Sequence, residues 1–474
     1  MNLRQWFNLT LQPRAKMEGL EWNGVTYTFG EIDARSNRMA RALQARGFVK
    51  GDRLCVYLAN CIEMIDLYLA CIKLGVIFVP INILYRDREM SHILSDAEPR
   101  GLITAAEMPA LLAEAGTQRP DLPETPLDGE DTAALVYTSG TTGVSKGAMI
   151  SHNNLAVNGA NLIQAWKIVP TDRLLLAPPL FHVHALGNGL HSWLMTGCRM
   201  RLLERFDHNT AIEQFENFEP TLFFGVPAMY VRLLETPREK AQAIGKKMRL
   251  FVCGSAPLPA QILEEFRDLF GHTILERYGM TETMMNISNP YDAERRPGSV
   301  GLPLPGVIAK IVGPDGNDLA DGETGEVWLK GPNVFKGYWR REEATKAAFV
   351  DGWFKTGDIG FRSPDGYFTL AGRKSDLIIS GGFNIYPREI EEFLMEQPEV
   401  AEAAVVAEAD RVRGEVPVAY IVWREGATAD AKGVEARCRE KLASFKIPRR
   451  FEAIDKLPRN ALGKVQKHLL CRAS

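Results

Sequence analysis

Two apolar segments, Ala133-Ala134-Leu135-Val136 and Ala148-Met149-Ile150, flank the run Tyr137-Thr138-Ser139-Gly140-Thr141-Thr142-Gly143-Val144-Ser145-Lys146-Gly147. The apolar segments read as buried strands, so the run between them is a loop at strand ends and not a linker between domains. Glycine allows successive backbone N–H groups to face one point. The hydroxyls add donors, and Lys146 adds a positive charge. The composition predicts a cradle for a polyphosphate, with Thr138, Ser139, Gly140, Thr141, Thr142, Gly143 and Lys146 as its residues. It is not the common P-loop, which ends Gly-Lys-Ser/Thr; here the order is Ser145-Lys146-Gly147.

The same alternation runs through the rest of the first 290 residues. Ile32, Met39, Ala40 and Leu43 share one face of a helix over 29–47, with Gly47 as its C-cap. A strand over 54–58, a helix over 61–75 and a strand over 76–80 follow. Strand–helix alternation predicts parallel sheets covered by helices. The Pro- and acid-rich stretch 119–131 reads as a loop between two such subdomains, the second spanning 132–290. From about 297, Gly and Pro punctuate short strands at 309–312 and 325–329, which predicts a small β-barrel-like subdomain. After Arg373 come a turn, an apolar run over 377–380 and a helix over 387–396 that opens with Pro387. A chain of 474 residues exceeds one ordinary core. The expected fold is α/β: a large N-terminal domain over 1–374, then a small, mobile α+β domain over 375–474.

A net charge of −3 disfavours nucleic acid as a partner. The seven cysteines form no CxxC pair and read as free thiols in a reducing compartment. No run reaches the ~18 apolar residues of a membrane span, and the first residues lack the apolar core of a secretory signal. A cytoplasmic location is the expectation.

Further motifs follow the glycine-rich run in order: Tyr278-Gly279-Met280-Thr281-Glu282, Thr356-Gly357-Asp358, Gly372-Arg373 and Leu457-Pro458-Arg459-Asn460-Ala461-Leu462-Gly463-Lys464. Together they resemble the adenylate-forming superfamily of acyl-CoA synthetases, peptide-synthetase adenylation domains and luciferases, over essentially the whole chain. The resemblance implies ATP, Mg²⁺ and coenzyme A acting on a small-molecule carboxylate. It implies that the cradle holds the β- and γ-phosphates, that Thr281 touches the α-phosphate and that Glu282 ligates Mg²⁺. Asp358 would bind the ribose hydroxyls, with Arg373 beside it. Gly254, Ser255 and Ala256 would line the adenine pocket, and Tyr278 would stack on the base, followed by Gly279 and Met280. Lys464 would bridge the substrate carboxylate and the α-phosphate, then withdraw as the small domain turns. Ser380, Gly381 and Gly382 would then line a tunnel for the pantetheine thiol. At the hinge the superfamily has Asp or Lys, whereas this chain has Ser375 after Lys374.

Arg277 stands where relatives commonly carry Gly or an apolar residue against the acyl group. A buried guanidinium needs a partner, and a second carboxylate on the substrate would supply one. The other reading is an ion pair with Glu276 or Glu204. Phe181-His182-Val183-His184, the stretch Gly225 to Arg232 and Glu276-Arg277-Tyr278 resemble malonyl-CoA synthetases. On that resemblance Arg232 is a second clamp on the distal carboxylate, His182 a gate beside the carboxylate and ATP, and His184 part of the acyl pocket. The expected activity is ligation of a short diacid, malonate or methylmalonate, to coenzyme A. An aryl- or medium-chain acyl-CoA ligase, a carrier-protein-loading enzyme and a non-catalytic nucleotide binder are the alternatives.

Overall fold

The computed structural model describes residues 2–122, 124–138, 145–380, 383–460 and 463–470. Ser139, Gly140, Thr141, Thr142, Gly143, Gly381 and Gly382 lie outside the described residues. The described residues form four sheets. The first has the order Gly101–Thr104, Arg53–Tyr57, Ile77–Pro80, Thr132–Thr138, Lys146–Ser151, parallel except for the last strand. The second has nine strands. Its parallel centre includes Leu275–Met280, Leu250–Cys253, Leu222–Gly225 and Arg173–Leu176, and both edges are antiparallel. Strands such as Leu222–Gly225 and Leu250–Cys253 are buried throughout. Unbroken apolar runs are what a parallel sheet covered on both faces demands.

The expected division at 119–131 is corrected by the pairing. Thr132–Thr138 lies beside Ile77–Pro80, with Phe78 opposite Ala134, so it and Lys146–Ser151 complete the first sheet. The hairpin Glu18–Trp22 and Val25–Thr28 joins the second sheet instead, beside Arg199–Leu202. Local patterning makes these segments strands; only long-range packing chooses their sheet.

Thr28 caps the helix Phe29–Ala45, and the Glu31 side chain accepts from the Thr28 N–H at 2.7 Å. The helix Ile62–Leu74 ends on Gly75 at φ +71°. A third sheet of short antiparallel strands includes Gly325–Lys330, Trp353–Arg362 and Phe368–Arg373. A turn over Lys374–Asp376 leads into the last unit. There the helices Pro387–Met395 and Ala431–Lys441 pack on five strands around Ile378, Ile390, Val405 and Ile421. Arg388 of this unit donates to the Leu370 carbonyl at 2.6 Å, which ties it to the larger one. The cysteines among the described residues are unpaired thiols. Among the described residues no helix is long and apolar enough to cross a membrane.

Candidate active site

The site lies beyond the C-terminal ends of the parallel strands of the nine-stranded sheet, the usual place for a ligand in an open α/β sheet. Asn60 shapes the first wall by accepting from the Leu180 N–H at 2.7 Å and donating to the Pro178 carbonyl at 3.0 Å. This places His182 just before a π-helical segment, His184–Leu190. Gly189 presses against Leu176 in that segment, and Asn158 donates to the Gly187 carbonyl at 2.8 Å. The widened turn departs from regular α-helix beside the site, a recurring position for such segments.

The second wall is the loop after Leu250–Cys253. Ser255 holds φ +73°, a conformation unusual for a residue with a side chain. Its hydroxyl lies 3.1 Å from His184 Nδ1. With that hydroxyl donating, the imidazole proton sits on Nε2, which is buried and has no partner. The His184 N–H donates to His182 Nδ1 at 3.1 Å, so the neutral His182 ring also carries its proton on Nε2. Burial, with Arg277 and then Lys464 adding to it, pushes His182 down to about 4. Burial and Arg277 hold His184 well below its ordinary value. Both imidazoles are therefore neutral at pH 7.

The floor is the hairpin Leu275–Met280 and Met284–Ser288, joined by Thr281-Glu282-Thr283. Its register slips between Tyr278 and Gly279, a bulge that re-aims the following side chains. Arg277 is buried at 4 % exposure, and its Nε and Nη2 have no partner among the described residues. The Gly254 backbone packs directly on it. Glu276 does not answer it, because successive side chains leave a strand on opposite faces. Glu276 instead accepts from the Leu258 N–H at 3.2 Å, and burial pushes its carboxyl up to about 7. Among the described residues no carboxylate forms an ion pair with Arg277, Glu204 included. Burial lowers the guanidinium to about 10, so it stays charged at neutral pH.

The Tyr278 hydroxyl donates to Asp358. Asp358 faces Arg373 across neighbouring strands and pairs with its Nε at 2.8 Å. Glu282, at the hairpin tip, is buried and accepts from the Tyr338 hydroxyl at 3.0 Å. Burial raises its carboxyl above the ordinary value. At the cradle, only the ends are described. The Thr138 hydroxyl donates to the Lys146 carbonyl at 3.5 Å, and the Lys146 ammonium lies 4.8 Å from the centre of the Tyr338 ring. The helix Asp87–Ala97 clamps both ends from one face: Tyr137 donates to Asp96 at 2.8 Å, and His92 Nε2 donates to the Ser145 carbonyl at 2.8 Å.

Lys464 is tied to Asn460 by two hydrogen bonds. Its N–H donates to the Asn460 side chain at 3.0 Å, and its carbonyl accepts from the Asn460 N–H at 2.9 Å. Gly463, at φ +75°, approaches Ala228 of the large unit. Lys464 is exposed as a residue, yet its ammonium is desolvated, and that burial together with the Arg373 charge lowers its pKa, with Asp358 and Asp376 opposing. The last unit thus brings Lys464 toward His182, Asp358 and Arg373. Ser380 is buried, and its hydroxyl has no partner. Arg232 is a correction: it lies on the outer face of the helix Pro227–Leu233, half-exposed and paired with Glu235 at 2.9 Å. Its neighbour Tyr230 takes the inward face and donates to the Val252 carbonyl. Tyr338, His92 and Asp96 were not legible as site residues, since none stands in a glycine-rich or charged motif.

Comparison with known proteins decides the family. The AMP-binding enzyme family matches residues 13–339, and the AMP-binding enzyme C-terminal domain matches residues 389–464.

The chain belongs to the AMP-binding enzymes.

Among relatives of this AMP-binding enzyme, a feruloyl-CoA synthase of Amycolatopsis is 36 % identical, covering 94 % of this chain and 93 % of its own. The malonate–CoA ligase of Arabidopsis thaliana is 32 % identical, covering 94 % and 84 %. ATP-bound MatB from Rhodopseudomonas palustris superposes with a TM-score of 0.93 at 38 % identity, over 99 % of this chain and 98 % of that one. The enzyme is an adenylate-forming CoA ligase that uses ATP, Mg²⁺ and coenzyme A. Among the described residues, no three His, Cys, Asp or Glu side chains gather to cage a metal. One buried carboxylate, Glu282, on the phosphate side fits Mg²⁺, which takes one or two protein carboxylates and completes its shell with phosphate and water.

Proposed function

We propose that this AMP-binding enzyme joins a short dicarboxylic acid, malonate first, to coenzyme A. The observation that carries the reading is a cluster of buried donors that meet no acceptor among the described residues. Arg277 Nε and Nη2 and His184 Nε2 are all buried and unpartnered, and Arg277 acts electrostatically on His184. An unpaired buried guanidinium costs roughly 3–5 kcal/mol. A distal carboxylate removes that penalty, whereas an aryl or alkyl tail leaves it standing. The malonate–CoA ligase among the relatives supports the reading.

In the first half-reaction the proximal carboxylate oxygen attacks the α-phosphorus of ATP and pyrophosphate leaves. Two anions about 3–4 Å apart repel by several kcal/mol at an effective dielectric near 20. Lys464, Lys146, Thr281 and the His182 Nε2 donor offset that repulsion. Glu282 would hold Mg²⁺, which would supply polarisation of the phosphate oxygens. Asp358, steadied by Tyr278 and Arg373, takes the ribose hydroxyls, and the Gly254-Ser255-Ala256 loop takes the adenine. In the second half-reaction the small domain, 375–474, turns about Lys374–Asp376 and withdraws Lys464. The thiol enters past Ser380 and attacks the acyl carbonyl, and AMP leaves.

Carboxylate-dependent ATP–pyrophosphate exchange with malonate, methylmalonate, succinate, acetate, butyrate and ferulate tests the reading, followed by thioester detection with coenzyme A. Malonate should lead. Ferulate or butyrate ahead of every diacid overturns the assignment. A further variant reads the pocket without touching its charge. A Cβ on Gly254 would lie 2.5 Å from Arg277 Cζ and Nη1. Gly254→Ala should therefore shift the guanidinium and raise KM for malonate about 10- to 100-fold. An effect through the adenine loop is common to every acid, so the malonate-to-acetate ratio of KM is the readout.

A further inference from the structure

Lys146 and Glu282 carry opposite charges, and on the reading above both work on one polyphosphate. Left to themselves, an ammonium and a carboxylate on neighbouring walls would pair with each other and close the site. They do not: among the described residues Lys146 has no ion pair, and Glu282 accepts from a hydroxyl instead. The side chain between them is Tyr338. Its ring lies 4.8 Å from the Lys146 ammonium, and its hydroxyl lies 3.0 Å from Glu282 Oε1. We propose that Tyr338 is a positioning residue that holds Lys146 and Glu282 apart, keeping the first free for phosphate oxygens and the second for the accompanying divalent cation.

The backbone is built to fix that side chain. The segment 335–339 threads between the cradle hairpin and the Glu282 turn. Phe335 N–H donates to the Glu282 carbonyl at 2.7 Å, Met149 N–H to the Gly337 carbonyl at 2.9 Å, and Trp339 N–H to the Gly147 carbonyl at 2.8 Å. Tyr338 N–H donates to the Thr345 hydroxyl at 2.9 Å. Gly337 sits at φ +137°, where a Cβ would also strike Thr345 at 2.5 Å. The ring itself stands edge-on against buried Phe335, with centroids 4.9 Å apart. One half-buried side chain presents its π-face to the cation and its hydroxyl to the anion. A π-face attracts an ammonium without neutralising it. A hydroxyl donor orients a carboxylate and leaves its other lone pairs open.

The inference rests on the phosphate role of Lys146 and the metal role of Glu282, so the test separates the two layers. Binding of α,β-methylene-ATP is measured by calorimetry, with and without Mg²⁺, for the wild type, Tyr338→Phe, Tyr338→Leu, Lys146→Gln and Glu282→Gln. Tyr338→Phe keeps the ring and loses the hydroxyl. It should raise the Mg²⁺ concentration for half-maximal enhancement of binding roughly 10-fold, with metal-free affinity unchanged. Tyr338→Leu should in addition weaken metal-free binding about 2- to 10-fold. Coenzyme A thioester formation from supplied acyl-adenylate should be unaffected in both. If Lys146→Gln and Glu282→Gln alter binding but neither Tyr338 variant shifts the Mg²⁺ titration, the positioning role is overturned. It is overturned equally if both variants lower thermal stability and every activity in parallel. If Lys146→Gln and Glu282→Gln leave binding untouched, the underlying assignment of the phosphate site falls instead.

Discussion

Lys464→Ala is expected to remove adenylation while leaving thioester formation from supplied acyl-adenylate near the wild-type rate. The loss should be about 10²- to 10³-fold in ATP–pyrophosphate exchange, the usual effect of deleting one preorganised charge from a developing anionic centre. The fold should not notice, because among the described residues the ammonium forms no ion pair, and Lys464 is held to Asn460 through its own N–H and carbonyl. The prediction follows from position. The lysine reaches the site only because the last unit is docked, with Gly463 against Ala228 and Arg388 on the Leu370 carbonyl. Loss of both half-reactions together would contradict an alternating small domain.

The pH profile should carry the same signature. Desolvation and Arg373 hold the Lys464 ammonium below its ordinary 10.5. The charged form is present below that lowered pKa and is lost as pH rises through it. Adenylation should therefore fall on the alkaline side earlier than the thioester step, which does not need the ammonium. Superimposable alkaline limbs for the two half-reactions would separate Lys464 from the first.

The architecture was legible because buried parallel strands and amphipathic helices write their period into the chain. The segments Leu54, Val76 and Leu250 open are strands on composition alone, and Gly75 ends its helix for a backbone reason. Sheet membership was not legible, as the segment 132–151 shows, since no local residue says which distant edge it will join. Arg232 shows a second limit. Tyr230 and Arg232 are two apart on a helix, so they point to different sides, and the burial of Tyr230 sends Arg232 to solvent beside Glu235. Motif spacing placed both near the pocket but carried no rotation. Tyr338 marks a third: an uncharged aromatic inside Phe335-Lys336-Gly337-Tyr338-Trp339 gives no signal of its own. Its placement comes from backbone bonds to two segments more than fifty residues away.

Arg277→Met is expected to divide the substrates. With the guanidinium gone, malonate loses the partner of its distal carboxylate, a change worth roughly 3–4 kcal/mol, or about 10²- to 10³-fold in kcat/KM. Acetate and butyrate have no second charge to lose, so they should fall less than 10-fold or improve as the pocket becomes apolar. The free enzyme supplies an independent sign. Among the described residues Arg277 Nε and Nη2 are buried without partners, and the guanidinium packs against the Gly254 backbone. Exchanging an uncompensated buried charge for a thioether of similar length should therefore stabilise the unliganded fold, by about 1–4 kcal/mol. Denaturant melts read this directly. A structural arginine would behave oppositely, lowering stability and all three acids alike. Gain of stability together with selective loss of the diacid is the combination that only a charge held for the substrate produces.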